Sequence, residues 1–158
     1  MTETTKVLLI PKIDNGIVID HIPPGYGIAI LEIIRRDPAT RDVVVTLGLN
    51  YHSTKLGRKD LIKLWTDDLA PRVVQHISLV CPGITIKKIS NYEVEKRYVI
   101  TPPEHARNLL RCLNPSCVTN TESHVETNFV LIKAEEMKLK CTYCERVFPL
   151  SDLKPILP

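Results

Sequence analysis

Apolar and polar residues follow regular spacings through the first hundred residues, and these spacings predict alternating strands and helices. The apolar, β-branched runs at 6–10 and 17–22 are typical of strands, and Asn15-Gly16 between them predicts a hairpin turn. Apolar positions at 28–34 then recur every three or four residues, which predicts an amphipathic helix that ends before Pro38.

The same spacing rules predict two more strands, a second helix and two closing strands. The strands lie at 42–49 and 59–65, joined by a polar loop at 50–55. The helix begins near Asp67-Asp68, ends at Pro82-Gly83, and buries an apolar face made of Val73, Val74, Ile77 and Val80. The closing strands lie at 84–89 and 92–100. This order predicts an α+β fold with a ferredoxin-like antiparallel sheet and both helices on one face.

Adjacent prolines at Pro102-Pro103 interrupt the pattern and predict a boundary between domains at 1–103 and 104–158. The second segment contains short strand patterns at 129–132, 138–140 and 146–148. About 54 residues with few large apolar groups bury little core, and chains this short generally need a disulfide or metal. The segment is therefore predicted to be a small all-β, zinc-ribbon-like domain.

Four of the five cysteines form two close pairs with metal-ligand spacing, Cys112-x4-Cys117 and Cys141-x2-Cys144. Two such turns present four thiolates to a tetrahedral zinc ion, and a site closed by four thiolates is structural because no coordination position remains for catalysis. Redox-active or unligated cysteines are the alternative, and His105 and His124 are possible substitute ligands. Cys81 stands alone and is expected to be buried.

Charge and hydropathy limit the classes of partner that the chain is expected to bind. The net charge is +3, but residues 104–158 carry as many acidic as basic residues, so the cysteine-bearing segment is a poor surface for nucleic acid. No apolar run approaches the roughly 20 residues of a membrane span, and the N-terminus lacks an apolar signal segment. We therefore expect a cytoplasmic protein that binds neither membranes nor nucleic acid, with a nucleic-acid-binding zinc ribbon as the alternative function.

No catalytic motif is recognisable in the sequence. The serines and histidines are scattered, and no phosphate-loop motif occurs. A basic run at 57–63 is more informative. On a strand, Lys59, Leu61 and Lys63 share one face, so two ammonium groups can converge on phosphates while Asp20 accepts hydrogen bonds. A solvated, charge-balanced sheet face is the simpler interpretation of the same pattern.

Taken together, these stretches resemble the regulatory chains of aspartate carbamoyltransferase along essentially the whole sequence. The resemblance rests on the order and spacing of five features: the motifs at 18–23, 48–50, 57–63 and 91–94 and the four cysteines. It implies a non-catalytic chain of pyrimidine biosynthesis, with an N-terminal domain that dimerises and binds the effectors ATP, CTP and UTP. It further implies a zinc domain that docks on catalytic trimers.

The resemblance also assigns residues by position. The nucleotide would contact Asp20 and His21 near the base, Lys63 near the ribose and Arg97 near the phosphates. The remaining pocket residues would be Ile10, Pro11, Lys12, Ile13, Ile89, Tyr92 and Val94. Contacts with the catalytic chain would come from Asn114, Glu145 and Arg146. A small metalloenzyme is the weakest alternative, because a four-thiolate site has no vacant position.

Overall fold

The computed structural model describes residues 9–133 and 135–156 of the chain. Its larger part is a five-stranded antiparallel sheet with two helices packed on one face. The elements are β1 (Gly16–Ile22), α1 (Gly27–Arg36), β2 (Val45–Ser53), β3 (Gly57–Leu64), α2 (Pro71–Val80), β4 (Thr85–Ser90) and β5 (Glu93–Val99). The strand order β2-β3-β1-β4 is ferredoxin-like, and β5 extends the sheet at the β4 edge. The predicted fold class is confirmed.

Strand alternation separates the two faces of this sheet. Ile19, Ile62 and Ile86 point toward the helices, where they pack with Ile30 of α1 and Ile77 of α2 and are fully buried. Side chains at alternate positions of the same strands point to the opposite face, which no helix within residues 9–133 and 135–156 covers. That uncovered face carries the basic residues singled out from the sequence.

The predicted hairpin across Asn15-Gly16 is wrong. Its first strand at 6–10 lies mostly outside the described residues, and Leu9 and Ile10 form a bend rather than a strand. The second strand, β1, pairs with β3 on one side and β4 on the other, so it has no free edge for a hairpin partner. Gly16 serves instead as the first residue of a central strand.

Two other boundaries differ from the sequence prediction. The residues assigned to a polar loop at 50–55 extend β2 to Ser53 through a bulge after Gly48, where Asn50 adopts a left-handed conformation with φ of 61°. Helix α2 begins at Pro71 rather than near Asp67-Asp68, and Val74 and Val80 are only half-buried. Proline is common at the first position of a helix because the backbone N–H that it lacks would have no hydrogen-bond partner within the helix there.

The buried carboxylate of Asp60 joins three of these elements. Its Oδ2 accepts the backbone N–H groups of Gly25 and Gly27, each at 3.0 Å, and its Oδ1 accepts that of Asn50 at 2.8 Å. These bonds tie the start of α1 and the bulge of β2 to β3. Asp60 thereby fixes the strand that carries Lys59 and Lys63.

The second part of the chain consists of short strands around a small core. It contains β6 (His105–Arg107), β7 (Leu110–Arg111), α3 (Val118–Thr121), β8 (Asn128–Lys133), β9 (Lys138–Cys141), β10 (Val147–Pro149) and β11 (Lys154–Pro155). One sheet has the order β10-β9-β8-β6, and β11 pairs with β7 in a separate ladder. The three strands predicted from sequence are confirmed as β8, β9 and β10. The shorter strands and the single-turn helix α3 were not predicted.

Helix α2 contacts this second part directly. Its Arg72 donates to the carbonyl of Asn108 at 2.7 Å, and the ring of His76 bonds the carbonyl of Ile156 at 2.8 Å. One turn further along, Leu79 packs into the second core. Among the helices of the described residues, none has the length and hydropathy needed to cross a membrane.

Candidate functional site

Two loops bring the four cysteines together at one end of the second core. Cys112 follows β7 and Cys117 precedes α3, while Cys141 ends β9 and Cys144 lies in the turn before β10. Their sulfur atoms all lie within 4.8 Å of one another. The Cys112–Cys144 and Cys117–Cys141 sulfur pairs are separated by 3.7 and 3.8 Å.

These distances fit a tetrahedral metal. Four sulfurs at about 2.3 Å from a zinc ion are separated by about 3.8 Å. Cys112, Cys117 and Cys141 are buried, and the hydroxyl of Thr119 donates to the Cys117 sulfur at 3.2 Å, which orients that ligand. The donor set therefore suits a closed structural site. Zinc bound there would crosslink the two loops. Its four coordination positions would all be taken by thiolates, so none would be left for a reactive water.

The second site is a pocket of about 330 Å³ on the uncovered face of the five-stranded sheet. Most of the residues assigned by resemblance line it, namely Lys12, Ile13, Asp20, Lys63, Ile89, Tyr92 and Val94. One end is basic, and the other is an apolar wall formed by Ile89, Tyr92 and Val94. A pocket with one charged and one apolar end suits an amphiphilic anion.

Asp20 organises the charges of this pocket. Its two carboxylate oxygens each accept from one lysine, Lys59 and Lys87, at 2.8 Å. Burial raises the pKa of Asp20, but the two lysine bonds and the backbone N–H of His21 outweigh it, so the pKa lies well below its ordinary value. Asp20 is consequently ionised at neutral pH and holds the ammonium group of Lys87, which lines the pocket, together with that of Lys59 beside it.

Lys63 completes the basic end. Its ammonium group donates to the carbonyl oxygen of Pro11 at 2.5 Å, which holds the segment before β1 against β3. Burial lowers the pKa of Lys63, the Asp20 charge raises it, and the charges of Lys12 and Lys87 lower it further. A bound anion would relieve this mutual repulsion among the lysines.

Four of the assigned residues do not line the pocket. Ile10 packs against Gly48 of β2, and Pro11 contributes only its carbonyl group. The His21 ring lies 3.3 Å from the Thr85 hydroxyl. Arg97 is paired in register with Lys87, which places it on the same sheet face beside the pocket.

Three lining residues, Val18, Leu61 and Lys87, were not assigned to the pocket from the sequence, although Leu61 was placed on the same strand face as Lys63. Each lies two positions before an assigned residue on the same strand: Asp20, Lys63 and Ile89. Side chains two positions apart in a strand share a face. The three lining residues could therefore have been predicted from the assigned residues by strand alternation. Lys87 matters most, since it adds a third ammonium group.

The residues assigned to the catalytic-chain contact lie on the two cysteine loops. Glu145 and Arg146 are exposed, whereas Asn114 is only 9% exposed and its side-chain oxygen accepts the Ser116 N–H at 3.2 Å. Around them the loops expose three large apolar side chains: Leu113, Val118 and Tyr143. An apolar group ringed by polar side chains is typical of a protein-docking surface.

Comparison with known proteins identifies the family. The model for the allosteric domain of the aspartate carbamoyltransferase regulatory chain matches residues 8–101, and that for its metal binding domain matches residues 104–154. The chain belongs to the aspartate carbamoyltransferase regulatory-chain family. The two matches leave Pro102 and Pro103 between them.

Similar proteins of the same family occur in archaea and bacteria. The regulatory chain of Pyrobaculum arsenaticum is 41% identical over 94% of this chain and 99% of its own length. That of Pyrococcus abyssi is 40% identical over 88% and 91%, and that of Aliivibrio fischeri 39% identical over 89% and 90%. Membership makes the chain a regulatory rather than a catalytic component, with an allosteric and a metal-binding domain.

Proposed function

We propose that the chain binds nucleoside triphosphates, ATP, CTP or UTP, in the pocket beside Asp20 and passes the signal to catalytic trimers. The observation that carries the proposal is the convergence of three lysines on one open sheet face: Asp20 accepts from Lys59 and Lys87, and Lys63 lines the same pocket. Three ammonium groups against one carboxylate leave a positive surplus that suits a triphosphate.

The two ends of the pocket suggest the orientation of the nucleotide. The base lies against the apolar wall of Ile89, Tyr92 and Val94, where the backbone of residues 10–13 supplies polar contacts. Asp20 and His21, which the resemblance assigns to the base, lie toward the basic end instead. Lys63 reaches the ribose, and Arg97 with Lys87 binds the phosphates. An arginine beside a lysine offers a bidentate fork as well as a point charge.

Residues 104–158 form the docking domain in this proposal, and residues 1–103 form the allosteric domain. Zinc fixes the two cysteine loops, whose exposed Leu113, Val118 and Tyr143 contact the catalytic trimer together with Asn114, Glu145 and Arg146. Effector binding changes the quaternary equilibrium only if the nucleotide has different affinities for the two arrangements of the assembly. Coupling free energies of this kind are typically about 1–3 kcal/mol.

A regulatory dimer, formed in the cytoplasm, completes the proposal. Strand β2 is an edge of the five-stranded sheet, and apolar side chains on and beside it, Val44 and Leu49, are 66% and 46% exposed. Unpaired edges of this kind recruit another strand. We expect two copies of the chain to meet there, with neither nucleic acid nor membrane as a partner.

Calorimetric titration of ATP and CTP into the zinc-loaded chain tests the effector site. Lys63→Glu is expected to weaken binding by about tenfold or more, equivalent to about 1.4 kcal/mol, because it reverses a charge at the basic end. Lys88→Glu is the matched control, since Lys88 neighbours Lys87 in β4 but lines the opposite, helix-covered face of the sheet.

Two results would contradict the proposal. Absence of saturable nucleotide binding by the folded, zinc-loaded chain would indicate that the pocket is only a solvated, charge-balanced sheet face. Strongly salt-dependent binding of single-stranded RNA or DNA, unaffected by Lys63→Glu, would instead favour the nucleic-acid-binding alternative.

A further inference from the structure

A polar groove of about 530 Å³ runs along the metal-binding domain, away from the nucleotide pocket. Its walls come from β7, α3, the segment before β8, and β11. The lining residues are Asn108, Arg111, Thr119, Asn120, Ser123, Val125, Thr127, Lys154, Pro155 and Ile156. Two of these are basic and none is acidic.

The two basic residues of the groove, Arg111 and Lys154, lie opposite each other on the paired strands β7 and β11. Arg111 of β7 is the register partner of Lys154 of β11, and both side chains are exposed. Like charges placed directly opposite destabilise a strand pair. Neither residue forms an ion pair within the described part of the chain. Glu126 accepts from the Asn108 amide at 3.5 Å, and Glu122 and Asp152 are close in sequence to lining residues, but none of these three acids lines the groove.

The polar wall of the groove is held in place by its own hydrogen bonds. Thr127 donates to the carbonyl of Leu110 at 2.7 Å, and the Asn120 amide donates to the carbonyls of Cys112 and Asn114 at 2.8 Å each. These bonds connect the groove rigidly to the first cysteine loop. A cationic pair on such a wall presents a pre-organised surface to an anionic partner.

We propose that this groove binds an acidic segment of the catalytic chain, as a second contact beside the cysteine loops. The inference rests on the proposed docking function. Asn120 lines the groove and donates to the backbone carbonyl of Asn114 in the first cysteine loop, so the groove lies beside the proposed docking surface. The lining also includes the apolar residues Val125, Pro155 and Ile156, which suits a peptide segment with mixed side chains better than a small anion.

A different role for the pair would be charge balance. Zinc with four thiolates carries a net charge of about −2, and Arg111 directly precedes the ligand Cys112. In that case the two cations would stabilise metal binding, and replacing one by an acid would weaken zinc retention. Docking and charge balance therefore predict opposite effects of a single substitution on the isolated chain.

Lys154→Glu separates these roles in the full-length, zinc-loaded chain. The substitution converts a like-charged cross-strand pair into an Arg–Glu pair, so thermal stability and zinc retention should be kept or improved. Assembly with catalytic trimers should nevertheless weaken by about tenfold at low salt, and the remaining affinity should depend less on ionic strength. Arg107→Glu is the control, because Arg107 is an exposed arginine of the same domain that does not line the groove.

These experiments distinguish failure of the groove inference from failure of the proposed docking function. Loss of assembly with Arg146→Glu but not with Lys154→Glu would keep the cysteine loops as the docking surface and overturn the groove inference. Reduced zinc retention in Lys154→Glu, with unchanged assembly per zinc-loaded chain, would assign the pair to charge balance. Failure of the wild-type chain to assemble at all would overturn both.

Discussion

At the scale of single residues, Gly16 shows how close backbone contacts constrain the site. It begins β1 with φ of 149°, and a Cβ atom at this position would collide with the carbonyl oxygen of Leu64 in β3. The contact brings the first residues of β1 against the end of β3. Ile13 and Lys63, which line the pocket beside Asp20, are both close to this contact.

Substitution of Gly16 tests that contact. Gly16→Ala is expected to destabilise the chain by about 3 kcal/mol, because the collision with a backbone atom adds to the strain of positive φ. Gly83→Ala is the control. Gly83 also has positive φ, at 86°, but a Cβ there meets no atom within 4 Å, so its cost should be nearer about 1 kcal/mol. Denaturant titration measures both, and equal losses would contradict the argument.

At the scale of secondary structure, α2 is the element that joins the two cores. Arg72, His76 and Leu79 follow one another at helical spacing, and all three contact the second part of the chain. His76 is the least expected of them, since it is 1% exposed and its Nε2 must donate to the Ile156 carbonyl. The neutral imidazole therefore carries its proton on Nε2.

Protonation of His76 should loosen this junction. Burial lowers the pKa of His76 below its ordinary value of 6.5, a bond to the Ile156 carbonyl opposes the shift, and the Arg72 charge adds to it. A pKa lower in the folded than in the unfolded chain means that His76 contributes stability above about pH 6.5 and loses it as the pH falls.

The measurement is the free energy of unfolding between about pH 7.5 and pH 5.5 for the wild type and His76→Gln, which keeps an N–H donor. The wild type should lose more stability than the variant over this range. His105→Gln is the control, because His105 is exposed on β6, and it should follow the wild-type curve. Parallel curves for the wild type and His76→Gln would contradict a role for this imidazole.

At the scale of the whole molecule, two cores of unequal strength share α2. The larger core contains isoleucines from three strands and both helices of the first part, whereas the second has few large side chains, with Phe129 its largest fully buried one. A core this small is stabilised mainly by its metal, which can contribute roughly 10–16 kcal/mol of apparent folding free energy.

Metal removal should therefore unfold one part of the chain selectively. After chelation, backbone amides of β8 and β9 should lose protection from hydrogen exchange, while those of β1 and β3 stay protected because their core needs no metal. Cys112→Ser should reproduce the effect without chelator, and Cys81→Ser, which alters a buried cysteine outside the metal site, should not. Uniform loss of protection in both parts would show that the cores unfold as one unit.

Local periodicity was sufficient to predict most of this fold. Apolar residues recur at the spacing of a helix in α1 and at the spacing of a strand at Ile62 and Leu64 of β3, because the face that is buried repeats with the geometry of the element. The cysteine spacings likewise predicted the metal site, since each pair lies within one short loop and the ligand chemistry of a thiolate is independent of the fold around it.

Tertiary structure alone decided which elements become neighbours. The Asn15-Gly16 signal is local and favours a hairpin, but the pairing of β1 with both β3 and β4 buries Ile17 and Ile19 and leaves no edge for one. Lys87 and Asp20 are 67 residues apart in sequence, and Arg111 and Lys154 meet only because β11 returns to β7. Contacts of this kind depend on the path of the chain, which no single local pattern contains.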